Sequence, residues 1–295
     1  MKRFKNSVAR VVAVVCAAAL ALFVVGCSQE TYTPSSGEAV VSSPTIGEDG
    51  VLRVGVDSSS APLAGQSTTT GNIVGIDVDI AAALADELGL KVEIVDVGDD
   101  AATALSEGTV DIVLGVEVSN TSETYWLSDT YLDTAVALFA LASASSEVPS
   151  NVSTLTVAAQ VSSQSAWAVT NVLDQAVLST TTSLEDAFTA LGEAKVSYVA
   201  SDAIIGTFAA YSIDLDVQIV ALLEEASGYC VAVLSTNTDL QSAISEALET
   251  ISSNGTISLI EKKWLGTTVD LSATSVIDGS TDETSDESTD ETATE

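Results

Sequence analysis

Leu52, Val54 and Val56 alternate with other residues, a period of two that predicts a strand. Ile76, Ile80, Leu84 and Leu88 then recur at every fourth position and stop before Gly89, so 77–88 reads as an amphipathic helix closed by a glycine cap. Residues 91–97 return to a strand, 100–107 to a short helix and 111–115 to a strand, which completes one βαβαβ half. After Leu141 the pattern restarts, with a strand at 155–159, helices at 163–173 and 184–191, a strand at 196–200 and a helix from Asp202. A strand at 229–234, a helix with apolar positions Leu240, Ile244, Ala247, Leu248 and Ile251, and a last helix near 255–264 follow. Strands alternating with helices predict an α/β fold of parallel sheets flanked by helices. Extended crossings near 132–142 and 222–232 divide it into two lobes, lobe 1 spanning 50–135 plus 229–267 and lobe 2 spanning 136–228.

Both ends break this pattern. Lys2, Arg3, Lys5 and Arg10 precede an unbroken run of small apolar residues from Val11 to Val25, the charged and hydrophobic regions of a secretory signal over residues 1–26. At fifteen residues the run is short for a membrane span. It ends at Gly26 followed by Cys27, which resembles the lipobox of bacterial lipoproteins and implies lipidation of Cys27. Residues 27–49, rich in Ser, Thr, Gly, Glu and Pro, read as a flexible tether, and 268–295, with repeats of Asp and Glu among Ser and Thr, as a disordered acidic tail.

Composition narrows the chemistry. The 295 residues hold 9 Lys plus Arg, 42 Asp plus Glu and no His, a net charge of -33. Without imidazole there is no Ser-His-Asp triad, no His-containing zinc site and no histidine pH switch. The charge argues against nucleic acid as a partner, since phosphate binding needs clustered cations. Loss of the signal leaves five bases against the same 42 acids. With Cys27 lipidated, Cys230 has no partner for a disulfide and reads as a small buried hydrophobe.

Three stretches resemble the extracellular solute-binding proteins of polar-amino-acid ABC importers, family 3. The most specific is GIDVDIAAALADEL at 75–88; GYCVAV at 228–233, NGTI at 254–257 and KKWLG at 262–266 are similar to the family's closing segment. VGVD at 54–57, LSEGTVDI at 105–112 and Ser201 with Asp202 fall between them, so the resemblance covers about 51–266. It implies a two-lobed, periplasmic-binding-protein-like fold of type II (Venus flytrap) with two hinge crossings. It also implies a lipid-anchored receptor on the extracytoplasmic face of the cell membrane, monomeric, handing a small-molecule solute to an ABC permease, with no cofactor. Physics puts the ligand in the same place, in a crevice outside the carboxyl ends of the strands.

The sequence departs from the family where the ligand is gripped. The family pairs an Arg with the solute's α-carboxylate and an Asp with its amino group; Asp202 matches the Asp, but the Arg position falls on Thr121 or Ser122, and no Lys or Arg occurs between Lys91 and Lys195. Glu117 stands where the family often has Ser or Thr, Asp99 and Asp100 where a pocket aromatic is common, and Ser60 and Leu63 replace aromatics of the first loop. Ser162 and Ser163 occupy a turn at a helix start whose N–H groups offer another route to hold a carboxylate. Trp126, with Tyr125 or Trp167 as alternatives, is the candidate aromatic face, set against a plain core role. Acidic groups in a closing cleft need a countercharge, so the expected solute is cationic or neutral. Two other readings stay open: a surface sensor or adhesin with a diverged cleft, and a dehydratase-type enzyme on the same scaffold, for which no nucleophile motif, phosphate loop or metal cluster is visible.

Overall fold

The computed structural model describes residues 38–145, 155–173 and 175–277. The expected signal, the expected lipidation site Cys27 and most of the expected acidic tail lie outside the described residues. Among the described residues no helix is long and apolar enough to cross a membrane.

The first sheet contains β1 (Val51–Val56), β4 (Lys91–Asp96), β5 (Ile112–Glu117), β6 (Tyr125–Leu127), β7 (Leu132–Thr134) and β13 (Ser227–Leu234), in the order β4-β1-β5-β13-β6 with β7 also on β13. The strands β4, β1 and β5 are parallel, and β13 runs against β5. A two-stranded ribbon, β2 (Gly65–Gln66) with β3 (Ile73–Val74), precedes α1 (Ile76–Glu87). The short helix α2 (Ala101–Ser106) follows β4, and α6 (Thr238–Ser253) and α7 (Thr256–Leu265) follow β13. One face of the sheet, with Leu52, Val54 and Val56, buries the stripe Ile76, Ile80 and Leu84 of α1 together with Leu240, Ile244 and Ile251 of α6. Each of these side chains is almost fully buried, and such burial contributes about 1.5–3 kcal/mol apiece.

The second sheet orders β10 (Val177–Thr181), β9 (Thr156–Gln160), β11 (Tyr198–Asp202), β8 (Val136–Leu141) and β12 (Val217–Leu222). Its helices are α3 (Gln164–Val172), α4 (Leu184–Gly192) and α5 (Ala203–Ser212). Phe139 meets Phe188 edge to face at 5.4 Å on one side, and Leu138, Val157, Val169 and Leu173 cluster on the other. The chain passes between the sheets at Ala135 and again at 223–226. Residues 227 and 228, expected in lobe 2, instead pair with Thr134 and Asp133 of β7.

Two expectations about the ends change. Residues 38–49 are not a loose tether: the Val40 N–H donates to the Leu88 carbonyl at 3.0 Å, and Ile46, 1% exposed, belongs to the first core. The acidic tail does not begin at 268 either. Leaving α7, the chain runs onto lobe 2, where Leu271 is 3% exposed in the Phe139 core. The Leu222 N–H donates to Ser275 O at 2.9 Å, and the Ile277 N–H to Leu222 O at 2.8 Å. Polar composition hid both segments because each is fixed by one or two apolar anchors and main-chain bonds. Residues 267–277 thus form a strap, a third passage between the lobes.

Leu271→Ala is expected to cost about 2–5 kcal/mol of unfolding free energy, as for other fully buried leucines. A change below about 0.5 kcal/mol in urea titrations would show that the strap lies loosely on lobe 2.

Candidate functional site

A cavity of about 390 Å³ opens at the carboxyl ends of β1, β4 and β5. Asp57 follows β1, Gly98 and Asp99 follow β4, and Gly115, Val116 and Glu117 end β5; Ser60, Leu63, Asp77 and Asn120 complete the polar and apolar lining with Ala101, Val113 and Leu114. The parallel register aligns Val56 with Asp96, so both loops leave the sheet at the same edge.

Asp77 forms the floor. It lies on the buried stripe of α1, is 2% exposed, and one carboxylate oxygen accepts from the Tyr131 hydroxyl at 2.7 Å. That hydroxyl in turn accepts from the Gly115 N–H at 2.8 Å. Gly115 has φ +76°, and a Cβ there would stand 2.7 Å from the other Asp77 oxygen, so only glycine fits. Burial pushes the Asp77 carboxyl up to about 7, with the Tyr131 bond opposing. Asp57 is held below the usual carboxylate range, first by the Ser60 hydroxyl at 2.6 Å and also by Ser59.

Asp202 belongs to lobe 2, at the N-terminus of α5, and lies outside the cavity lining. One oxygen accepts from the Ile204 and Ile205 N–H groups at 2.9 and 2.8 Å; the other accepts from the Thr134 hydroxyl, at the first crossing. Burial raises the Asp202 pKa, and the nearby Glu117 charge adds to it. The capping role is therefore present, and it fastens Asp202 to the hinge. Glu224 fastens the hinge again: its carboxylate accepts from the Val136 N–H at 3.0 Å and from the Gln164 amide at 3.3 Å.

The other predicted residues divide. Ser60, Asp99 and Glu117 line the cavity, although the Ser60 proton is engaged by Asp57. Thr121 and Ser122 sit in the loop after β5 beside Asn120, outside the lining. There the Asn120 N–H returns to Glu117 O, Thr121 to Ser119 O and Thr124 to the Ser122 hydroxyl. Ser162 and Ser163 lie on the other lobe before α3, Ser163 capping Ala166 at 3.0 Å and donating to Gln160 O. Trp126 pairs across from Val233 and packs on the first core, away from the lining, while Trp167 is 70% exposed. Asp57 and Asp77 went unselected in the sequence. Asp57 directly follows a strand at the cleft edge, and Asp77 shares a helical stripe with Ala81, Leu84 and Leu88; those were the signals.

Among the described residues the cations lie elsewhere. Arg53 grips Asp111 in a two-pronged ion pair at 2.7 and 3.2 Å, at the amino end of the sheet. Lys195 pairs with Glu193, and Lys263 with Asp79, which also accepts from the Trp264 indole. Lys91 starts β4 and Lys262 is exposed on α7. No group of three or more His, Cys, Asp or Glu among the described residues is arranged to hold a metal.

Two α/β lobes hinged beside an acidic crevice define a cleft-type binding protein. The chain belongs to the bacterial extracellular solute-binding proteins, family 3, whose profile matches residues 52–267. An ancestral cationic amino acid solute-binding protein is similar at 27% identity, covering 73% of this chain and 96% of its own, with a TM-score of 0.61. The L-cystine solute receptor of Neisseria gonorrhoeae, in an unliganded open conformation, shares the fold at 20% identity, 75% and 95% coverage and TM-score 0.62. A polar amino acid ABC uptake transporter substrate-binding protein from Streptococcus thermophilus does so at 21%, 74% and 87%, and 0.67. No curated protein sequence matches the chain.

Two predictions follow from these contacts. Between the ordinary carboxyl pKa of 3.8 and about 7, folded Asp77 keeps a proton that the unfolded chain has shed, so its contribution to stability is lost as pH rises. Asp77→Asn should gain stability relative to wild type across that window and level off above it; a constant gap between pH 4 and pH 7 in urea titrations would contradict the assignment. Thr134→Val removes the hinge donor to Asp202 and should cost about 1–3 kcal/mol.

Proposed function

We propose that this protein is a lipid-anchored, monomeric receptor on the extracytoplasmic face of the cell membrane. It captures a small polar solute, cationic or neutral, by closing its lobes about Ala135 and 223–226, and passes it to an ABC permease. The observation that carries this reading is the lining of the crevice: Asp57, Asp77, Asp99 and Glu117, with no Lys or Arg of the described residues among them, while Asp202 of the other lobe is near enough for the Glu117 charge to act on it. Carboxylates brought together and dried without a countercharge are costly, and a bound cation removes that cost. The ligand thereby favours the closed form, which is all that a hinge equilibrium requires. The 27% identical ancestral neighbour, named for cationic amino acids, supports the same sign of charge.

A thermal-shift screen of the purified protein against amino acids, amines and small peptides tests the capture step. A hundredfold excess over Kd should add about 2.7 kcal/mol of stability. Stabilisation by glutamate would overturn the charge assignment, and silence across the whole screen would favour a surface protein with no transport role. Cys27→Ala should move the protein from the membrane fraction to the soluble fraction; unchanged fractionation would remove the lipid anchor.

A further inference from the structure

An α-amino acid offers a carboxylate as well as an ammonium, and the carboxylate needs donors. In the loop after β5, where a guanidinium would serve, three main-chain donors turn back into the protein, and of the loop's residues Asn120 alone belongs to the cavity lining. The Val118 N–H bonds Gly228 O at 2.9 Å, Asn120 bonds Glu117 O at 2.9 Å and Thr121 bonds Ser119 O at 3.0 Å. The Ser60 hydroxyl is committed to Asp57. Of the lining side chains, the Asn120 amide alone remains as a hydrogen-bond donor without a partner among the described residues.

Acceptors are plentiful. The second Asp77 oxygen has no hydrogen-bond partner among the described residues, and it faces the cavity floor past Gly115 from a side chain that is 2% exposed. Asp57 and Glu117 flank it. The lining contains no aromatic ring, which a quaternary ammonium would need. It does contain Leu63, Val113 and Val116, a surface suited to methylene groups. Four carboxylates, Asp57, Asp77, Asp99 and Glu117, line one cavity, so positive charge is wanted at more than one point of the guest.

On the receptor reading above, we infer that the ligand is a linear alkyl diamine or polyamine with protonated primary ammonium groups and no carboxylate. Its ammonium groups sit against Asp57, Asp77 and Glu117, and its methylenes lie on the apolar lining.

Calorimetry on the full-length protein in detergent, with 1,5-diaminopentane, lysine, 1-aminopentane and tetramethylammonium as probes, tests this. The diamine is expected to bind at least tenfold tighter than lysine, which differs from it by the carboxylate, and tighter than the other two. The exposed-residue variant Glu117→Gln, which leaves the fold's buried bonds intact, is expected to weaken the diamine at least fivefold; an unchanged diamine affinity would overturn the placement. Lysine binding as tightly as the diamine would overturn the inference and leave the receptor reading standing. Failure of all four probes together with every solute of the wider screen would overturn both.

Discussion

A carboxylate leaving water must find donors or a cation, and this protein places several of them at one crevice with only part of that need met internally. Asp202 spends one oxygen on the start of α5 and the other on Thr134. Asp57 is met by two serines, and Asp77 by one tyrosine. What these bonds leave unmet is net negative charge, since hydroxyls and N–H groups stabilise an anion without neutralising it. The raised pKa of Asp77 and Asp202, caused first by burial, is the same deficit expressed as proton affinity. A proton or a cation can fill it.

The two crossings between the lobes are tied to one another and to lobe 2 by carboxylates and main-chain bonds. Thr134 and Ala203 tie β7 and α5 together through the Asp202 carboxylate and the Ala203 to Ala135 bond of 2.9 Å. Glu224 joins the second crossing to the first through the Val136 N–H, while Leu223 returns a 2.7 Å bond to Val136 O. The strap adds a third constraint, because its bonds to Leu222 sit at the very end of β12. Rotation of the lobes must therefore bend two short crossings and slide or flex 267–270, and a motion compatible with all three is a hinge about one axis. The matched family region ends at residue 267, so this third tie lies just past it.

Helices and the parallel strands of the first sheet were legible because their apolar periods are long and uninterrupted: α1, α6 and β1 need no more than the spacing of Ile, Leu and Val, whereas β8, central in the second sheet, was taken for part of a crossing and its neighbour β12 was not seen. The edge strands β6, β7 and β10, and the ribbon β2 with β3, were not, since two to five residues with one buried face carry too little pattern. Ile46 and Leu271 each anchor a polar segment by a single side chain, which composition averages away. The candidate site shows the same division. Its position followed from strand ends, and Glu117, Asp99 and Ser60 from the family resemblance at those ends. The bond of Thr134 to Asp202 spans 68 residues and has no local trace. Trp126 looked available because an aromatic in a short strand has no pattern to show which face it takes, and it packs inward.

The overall charge of -33 invites the idea that acidity alone draws cations to the protein. Magnitudes argue otherwise for selectivity. At physiological ionic strength a surface charge is screened beyond about 8 Å, so the acidic repeats past Thr281 act on approaching solutes as a diffuse field that treats every small cation alike. Within the crevice the dielectric is lower and the same charges act at full strength over a few ångströms. On the proposed receptor reading, discrimination between guests would come from geometry at Asp57, Asp77 and Glu117, where a misplaced carboxylate on the guest meets like charge and the Asn120 amide is the one free side-chain donor of the lining among the described residues. The global field raises encounter rate, and the crevice decides which encounters last.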